Sequence, residues 1–420
     1  MPDALIAQTA VSLLGNDSVR PGSPSDAVQG VVPRIVVTPL SGEALGAVLE
    51  WASRAKLCVL VRGSGTKLGW GPAPRQVDVL ISTARLNAVV AHRHGDLTAT
   101  IQAGATLRDV NRVLATHRQW IPLDPPSSDR ATIGGVVATN DSGPRRHRYG
   151  SPRDLIIGIE FARADGRLAK GGGIVVKNVA GYDLPRLLTG SFGSLGVIVT
   201  ATFKLYPLTA ASRTLVVEVS SPSDPGLLAL KLSASHLTPT ALEFATHPLR
   251  LVLRFESIEA SVAQQSETAA KLIAENGYRT QTLSPSEEEQ YWLGHAQLAD
   301  DDGGALVKVS VLPTDLAETL TVIERLAGKR GYIAAGRAGA GVFLLRVTEE
   351  VQSQKRVIDG LRDALQTGRG SAVVVKGSPE LKEHVDVWGP IGDGLALMKA
   401  VKQQFDPAGI LSPGRGPGGL

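Results

Sequence analysis

Three glycine-rich segments hold the residues whose types and spacing best fit the binding of a phosphorylated ligand. The first, Arg62–Gly71, follows a short apolar strand predicted over Cys58–Val61. Glycines at this density permit positive φ and let the backbone approach a ligand closely. Consecutive amides in such a turn can point at one anion, and the hydroxyls of Ser64 and Thr66 add donors for phosphate oxygens. The segment therefore predicts a phosphate-binding loop.

Two later segments have the same character. Ala131–Gly143 intersperses hydrogen-bonding side chains such as Thr139 and Asn140 among small residues, and Thr189–Ile198 is again rich in glycine and serine. Three small-residue loops beside apolar strands are hard to explain as linkers within one domain. Together they predict a ligand that carries a diphosphate, as nucleotide cofactors do.

The first segment differs from two familiar phosphate-binding motifs. A Walker A loop needs Gly-Lys followed by Ser or Thr, whereas Lys67 follows Thr66 here. The dinucleotide motif GxGxxG is only half present, because Gly63 and Gly65 are followed by a leucine at position 68 and no helical pattern begins there. On its own, the first segment is equally consistent with an ordinary surface turn.

Composition excludes some function classes. The chain has 420 residues and a formal net charge of +4, with 4% aromatic residues, which argues against single-stranded nucleic acid as a ligand. Cys58 is the single cysteine, so an intrachain disulfide and a four-thiolate iron–sulfur cluster are both excluded. An acid near the N-terminus and the lack of an apolar run of about 20 residues predict a cytoplasmic protein without a transmembrane segment.

Strand and helix patterns predict an α+β protein with several parts. Residues 1–33 are predicted as one short apolar helix followed by a loosely held lead-in that is rich in turn formers. Mixed strands and helices with many glycines follow over 34–210. Over 211–390 the helices lengthen between alternating strands, which predicts an antiparallel sheet with helices on one face. Residues 391–420 form a C-terminal segment.

These segments resemble the vanillyl-alcohol-oxidase or PCMH-type FAD-binding family. The resemblance rests on the following stretches: Arg62–Gly71, Thr132–Gly135 with Asn140 and Gly143, Tyr149–Gly158, Gly193–Ile198 and Asp406–Arg415. Two further stretches, 143–146 and 176–187, resemble the FAD-binding accessory subunit of bacterial glycolate oxidase. The likeness covers most of 34–210 and returns near 385–415.

The resemblance implies a fold, a cofactor and a set of binding residues. The fold would be a PCMH-type FAD-binding domain of two α+β subdomains plus an antiparallel-sheet cap domain with helices, to which 391–420 returns. FAD would be bound non-covalently, since the first segment lacks the histidine that tethers the flavin in some relatives, and no metal is implied. The implied cofactor-binding residues are Arg62, Gly63, Ser64, Gly65, Thr66, Lys67, Pro125, Ser127, Thr132, Gly134, Gly135, Ala138, Thr139, Asn140, Ser142, Gly143, Gly193, Gly196 and Ile198.

The resemblance also implies a reaction and partners. Glycolate, a small 2-hydroxy acid, would be oxidised to glyoxylate with hydride transfer to FAD. Electrons would pass to an iron–sulfur subunit, beside a homologous catalytic flavoprotein subunit, and these partners could bring the cytoplasmic chain to a membrane.

A non-catalytic, FAD-bearing assembly or electron-relay subunit is the alternative. Active relatives carry a histidine-rich stretch late in the cap domain, whereas residues 372–379 hold no histidine and only His384 lies nearby. No catalytic residue is therefore assigned. A phosphate-ligand binding protein with no redox role also stays open.

Overall fold

The structure is a computed structural model that describes residues 1–174, 181–299, 301 and 303–420, without the side chains of 366–368. Residues 176–180 of the stretch 176–187 therefore lie outside the described residues. The chain divides into two compact units. The first comprises Met1–Ser142, Ser151–Leu208 and Asp393–Leu420, and the second comprises Gly143–Gly150 and Thr209–Gly392.

The helices are α1 (Asp3–Leu14), α2 (Gly42–Ala55), α3 (Leu107–Ala115), α4 (Ile133–Thr139), α5 (Arg146–Tyr149), α6 (Pro152–Leu155), α7 (Leu184–Leu188), α8 (Asp224–Ser233), α9 (Glu259–Glu275), α10 (Pro285–Gln297), α11 (Leu316–Ala327), α12 (Val351–Arg369), α13 (Pro379–His384) and α14 (Gly394–Phe405). The strands are β1 (Val19–Pro21), β2 (Ile35–Val37), β3 (Val59–Arg62), β4 (Val79–Ser82), β5 (Val89–Arg93), β6 (Thr98–Gln102), β7 (Gln119–Trp120), β8 (Ile156–Ala162), β9 (Leu168–Gly172), β10 (Val197–Lys204), β11 (Tyr206–Pro207), β12 (Ala211–Glu218), β13 (Ala241–Thr246), β14 (Leu249–Ser257), β15 (Thr280–Thr282), β16 (Ala305–Val311), β17 (Tyr332–Arg337), β18 (Val342–Val347) and β19 (Gly370–Lys376).

A four-stranded sheet in the first unit positions the first glycine-rich loop. Its order is β1-β2-β4-β3, with β2 and β3 both parallel to β4. Helix α2 begins where the Ser41 side chain accepts a hydrogen bond from the amide of Ala44 at 3.1 Å. Its apolar face, including Leu45 and Leu49, is fully buried beside the sheet. The loop starts at the carboxyl end of β3, so this core fixes where it begins.

A five-stranded antiparallel sheet positions the other two glycine-rich loops. Its order is β5-β6-β10-β8-β9, and α3 and α4 share its hydrophobic core. Thr132 caps α4 by accepting a hydrogen bond from the amide of Gly135 at 3.4 Å. Ile133 and Val137 of α4 are completely buried. The second loop thus includes a short helix held by the core, and the third loop leads into β10.

The predicted lead-in, residues 1–33, contains a packed helix. Ile6 and Ala10 of α1 are fully buried in the core that α2 and the four-stranded sheet share. Arg34 pairs with Asp3 near the start of α1 and with Asp78 at 3.0 Å. Hydrophobic burial and these ion pairs hold the N-terminal segment on the first unit.

The second unit is one eight-stranded antiparallel sheet with helices packed on it. The strand order is β15-β12-β14-β13-β17-β18-β16-β19. Leu251, Leu253 and Phe255 of β14 enter a core that also includes residues of α8, α9, α11 and α12. Because side chains alternate along a strand, Arg254 and Glu256 lie on the opposite face. The predicted α+β class and the predicted antiparallel sheet with helices are both confirmed.

No helix in the described part of the chain is long and apolar enough to cross a membrane.

Candidate functional site

The first unit contains a partly open cavity where the three glycine-rich loops meet. The lining residues are Leu60, Val61, Arg62, Gly63, Ser64, Gly65, Thr66, Lys67, Leu68, Trp70, Thr83, Ala103, Thr132, Gly134, Gly135, Ala138, Thr139, Phe192, Gly193, Gly196, Val197, Ile198, Ser412 and Arg415.

The first loop presents unused backbone donors to this cavity. Within the described chain, the amides of Gly63, Ser64, Gly65 and Thr66 donate no hydrogen bond to a protein acceptor. Gly65 has a φ of +86°, which L side chains rarely adopt. Four neighbouring donors without acceptors form the concave arrangement that receives an anion such as a diphosphate.

Close contact between the first and second loops requires glycine at position 63. A Cβ added to Gly63 would lie 2.1 Å from the Thr132 hydroxyl oxygen, a distance that real Cβ atoms do not reach. Thr132 itself starts α4, so the first loop rests on the capping residue of the second.

Backbone hydrogen bonds join the second loop to the third. The amide of Gly190 donates to the carbonyl of Val137 at 3.0 Å, and the amide of Phe192 donates to the carbonyl of Ala138 at 2.8 Å. Because these bonds reach the last turn of α4, the two loops form one wall of the cavity. Phe192 also approaches Trp70 of the first loop, with ring centroids 6.3 Å apart.

Two cations of the cavity wall are held by buried carboxylates. The Arg62 guanidinium lies 3.0 Å from Asp26, which also pairs with Arg20 at 2.6 Å. The hydrogen bond from Arg20, with help from Arg62, holds the pKa of the Asp26 carboxyl well below its usual range. Lys67 pairs with Asp141 at 3.1 Å, and both side chains are more than nine-tenths buried. The wall therefore holds fixed positive charge suited to an anionic ligand.

The C-terminal segment completes the cavity. We name Asp406–Arg415 the C-terminal brace. The amide of Val59 donates to the carbonyl of Ile410 at 2.8 Å, and the amide of Ser412 donates back to the carbonyl of Val59 at 2.9 Å. The brace thus extends the four-stranded sheet beside β3 and brings Ser412 and Arg415 to the cavity.

The structure brings most of the predicted cofactor residues to this cavity. Those that line it are Arg62, Gly63, Ser64, Gly65, Thr66, Lys67, Thr132, Gly134, Gly135, Ala138, Thr139, Gly193, Gly196 and Ile198. The predicted residues outside the lining are Pro125, Ser127, Asn140, Ser142 and Gly143. Ser127 has a φ of +54° and starts the turn before α4, Asn140 ends α4 with a φ of +49°, and Gly143 belongs to the second unit.

Sequence reasoning missed several lining residues. Trp70 and Phe192 lie within the loops that were recognised, but an aromatic side chain gave no separate signal. Arg415 lies in the C-terminal stretch that resembles the FAD-binding family, and this stretch was the signal that could have found it. Thr83 and Ala103 lie at the ends of β4 and β6, where nothing in the sequence distinguishes them.

The second unit has a polar cluster where α10 contacts the sheet face opposite α8, α9, α11 and α12. Glu243 is 1% exposed, and one of its carboxylate oxygens lies 3.0 Å from Nε2 of His295. Among the described residues, neither its other carboxylate oxygen nor Nε of Arg250 has a hydrogen-bond partner. Arg250 lies over the Tyr291 ring at 4.6 Å. Burial raises the pKa of Tyr291 far above its usual range and keeps its hydroxyl protonated.

No group of three or more His, Cys, Asp or Glu side chains among the described residues is arranged to hold a metal ion. His94 and His117 stack with their ring centroids 4.3 Å apart, and His92 lies 5.2 Å from His117.

Two family matches fall on the elements that build the cavity. Residues 33–172 match the FAD binding domain, and residues 388–415 match the C-terminal domain of FAD linked oxidases. The first range includes two of the glycine-rich loops, and the second includes the brace. The amide donors and fixed cations of this cavity fit FAD, which is the cofactor of this chain.

Curated relatives match almost the whole chain. A glycolate oxidase subunit, GlcD, of Bacillus subtilis is 28% identical, with 91% of this chain and 89% of the relative covered. A D-lactate dehydrogenase of Archaeoglobus fulgidus is 27% identical, with 91% and 90% covered. A D-2-hydroxyglutarate dehydrogenase of Xanthomonas citri is 26% identical, with 91% and 89% covered.

Solved structures share the fold. A p-cresol methylhydroxylase superposes with a TM-score of 0.75 at 17% identity, covering 98% of this chain and 96% of that chain. An alkyldihydroxyacetonephosphate synthase gives a TM-score of 0.71 at 17% identity, covering 98% and 84%. The matched domains and the curated relatives identify the chain as an FAD-dependent oxidoreductase.

Proposed function

We propose that this chain is the FAD-binding subunit of a glycolate oxidase complex and oxidises glycolate to glyoxylate. The main support is the cavity formed by the three loops and the brace, because two of these loops and the brace lie in the stretches that match FAD-linked oxidases. The relatives named above are a glycolate oxidase subunit and dehydrogenases of two other 2-hydroxy acids, which supports this substrate class.

The cavity residues would bind and orient the cofactor. The amides of Gly63, Ser64, Gly65 and Thr66 would donate to the diphosphate, where each hydrogen bond to a charged acceptor contributes roughly 1.5–3 kcal/mol. The second and third loops, through residues such as Gly134, would line the remainder of the cofactor. Non-covalent binding is part of the proposal, since the first loop contains no histidine. Bound FAD supplies a hydride acceptor.

Oxidation of a 2-hydroxy acid also needs a base for the hydroxyl proton and a cation for the carboxylate. Both groups must lie beside the bound substrate, and we assign neither role to a particular residue.

The non-catalytic alternative has one specific observation in its favour. The stretch expected to be rich in histidine coincides with β19, where Ala372 and Val374 are buried in an apolar core. In that case electrons would reach this chain from a catalytic flavoprotein subunit. Both versions include an iron–sulfur subunit as the onward electron acceptor.

Anaerobic mixing of the FAD-loaded chain with glycolate distinguishes the two versions. Bleaching of the flavin absorption by the chain alone supports the proposal, with D-lactate as a second substrate to compare. A loaded chain that glycolate never bleaches, but that bleaches when the catalytic subunit is added, would overturn the proposal in favour of electron relay.

A further inference from the structure

We propose that Arg415 is a cofactor-positioning residue. Its guanidinium holds Leu68–Pro72, the end of the first loop and the residue that follows it, in the conformation that accepts the ligand. Arg415 lies in the C-terminal brace, about 350 positions after the loop in sequence. The inference concerns how the cofactor is held, so it goes beyond the proposed reaction and does not depend on it.

Three hydrogen bonds of Arg415 go to one short stretch of the chain. Its guanidinium donates to three backbone carbonyls: those of Leu68 at 2.7 Å, Trp70 at 2.6 Å and Pro72 at 3.1 Å. The carbonyls of alternate residues can all accept hydrogen bonds from one planar group only when the loop has a single conformation. A guanidinium offers several donors in a fixed fork, so it can specify such a shape.

The position of Arg415 is itself well determined. Asp406, at the start of the brace, accepts hydrogen bonds from the amides of Ile410 at 3.1 Å and Leu411 at 2.8 Å. Lys402 of α14 donates to Asp406 at 2.6 Å and to the carbonyl of Ser194 in the third loop at 2.8 Å. The brace is therefore fixed to the third loop at one end and holds the first loop at the other.

Arg415 also carries charge into the cavity that it lines. Burial lowers the pKa of its guanidinium to about 10, which leaves it positively charged at neutral pH. A desolvated cation in the wall attracts the FAD diphosphate more strongly than a cation in water would. Loop shape and charge thus act in the same direction on cofactor affinity.

The test measures the affinity of the full-length, FAD-stripped chain for FAD, without any substrate. Arg415→Met removes both the fork and the charge and should weaken FAD binding at least about thirtyfold. Arg415→Lys keeps the charge but loses the fork and should still weaken binding at least about tenfold. The exposed Arg75→Met, near the same loop, is the matched control and should leave affinity within about twofold.

Two further measurements separate positioning from general stability. Guanidinium ion at millimolar concentration should restore part of the FAD affinity of Arg415→Ala and leave the wild type unchanged. Trypsin should cleave after Lys67 faster in FAD-free Arg415→Lys than in the wild type, even where thermal unfolding is the same. Wild-type affinity in Arg415→Met would overturn the proposal. Wild-type affinity in Arg415→Lys would also overturn it, because charge alone would then suffice.

Discussion

At the scale of residues, the shape of the cavity depends on glycines, which have no side chain, as much as on larger residues. Gly63 touches Thr132 so closely that no Cβ fits between them. For Gly69, in the same loop, no described atom beyond its two chain neighbours lies within 4 Å of the place where its Cβ would be. The two glycines therefore form a matched pair of substitutions within one loop.

Gly63→Ala should weaken FAD binding by at least about tenfold, because the added methyl group must push the first loop away from α4. Gly69→Ala should change affinity by less than about threefold. Titration of the FAD-free chain, followed by flavin fluorescence, measures both. Equal losses in the two variants would contradict the account of the loop contact.

The pairing of Asp26 with Arg20 and Arg62 predicts a dependence of stability on pH. The pKa of Asp26 is lowered in the folded chain, so its contribution is present above its unfolded value of about 4 and is lost as pH falls below it. Asp26→Asn should lower the free energy of unfolding by about 2 kcal/mol near pH 7.

Urea unfolding of the wild type and Asp26→Asn at several pH values checks this prediction. The difference between the two proteins should stay constant from about pH 7 to about pH 5 and shrink below about pH 4. A difference that grows as pH falls would show that the carboxylate does not stabilise the folded state by pairing with these arginines.

Residue types in the loops were readable from the sequence because glycine density and interspersed hydroxyls have a direct physical meaning. The role of Arg415 was not readable from the sequence, because it depends on contacts with Leu68, Trp70 and Pro72 that no local pattern encodes. His295 and Glu243 are another such case, since their pairing joins α10 to β13.

At the scale of elements, local signals located most helices and strands. Ser284 caps α10 by accepting from the amide of Glu287, and the Ser284 amide donates to the Glu287 carboxylate at 2.7 Å. Helix α3 ends at Ala115, where the Thr116 hydroxyl donates to the carbonyl of Val113 at 2.7 Å. Pairing between distant strands, such as the contact of the brace with β3, left no such signal.

Helix α14 and the brace should depend on the buried pair of Lys402 and Asp406. Lys402→Met removes the cation and leaves the fully buried Asp406 carboxylate without its charge partner, which should lower the free energy of unfolding by about 3–5 kcal/mol. Lys399→Met, on the exposed side of the same helix, should change it by less than about 0.5 kcal/mol.

Denaturant unfolding curves of the two variants test the claim. FAD affinity should fall in Lys402→Met as well, since Lys402 also holds the third loop through Ser194. If Lys402→Met were as stable as Lys399→Met, the buried pair would not anchor the brace.

At the scale of the whole molecule, the first unit supplies the cofactor cavity and the second supplies a polar sheet face. The sequence predicted the α+β class and the antiparallel sheet, because periodicity and helix length change near Pro207. It did not separate Gly143–Gly150, which group with the second unit, from the surrounding first-unit residues. Eight residues are too few to carry a pattern of their own.

The amount of FAD retained by the purified, folded chain tests the central claim most directly. After incubation with excess FAD and removal of free flavin, the account predicts one FAD per chain, with absorption bands in the blue and near ultraviolet, released intact on denaturation. A folded chain that retains no flavin under these conditions would contradict it.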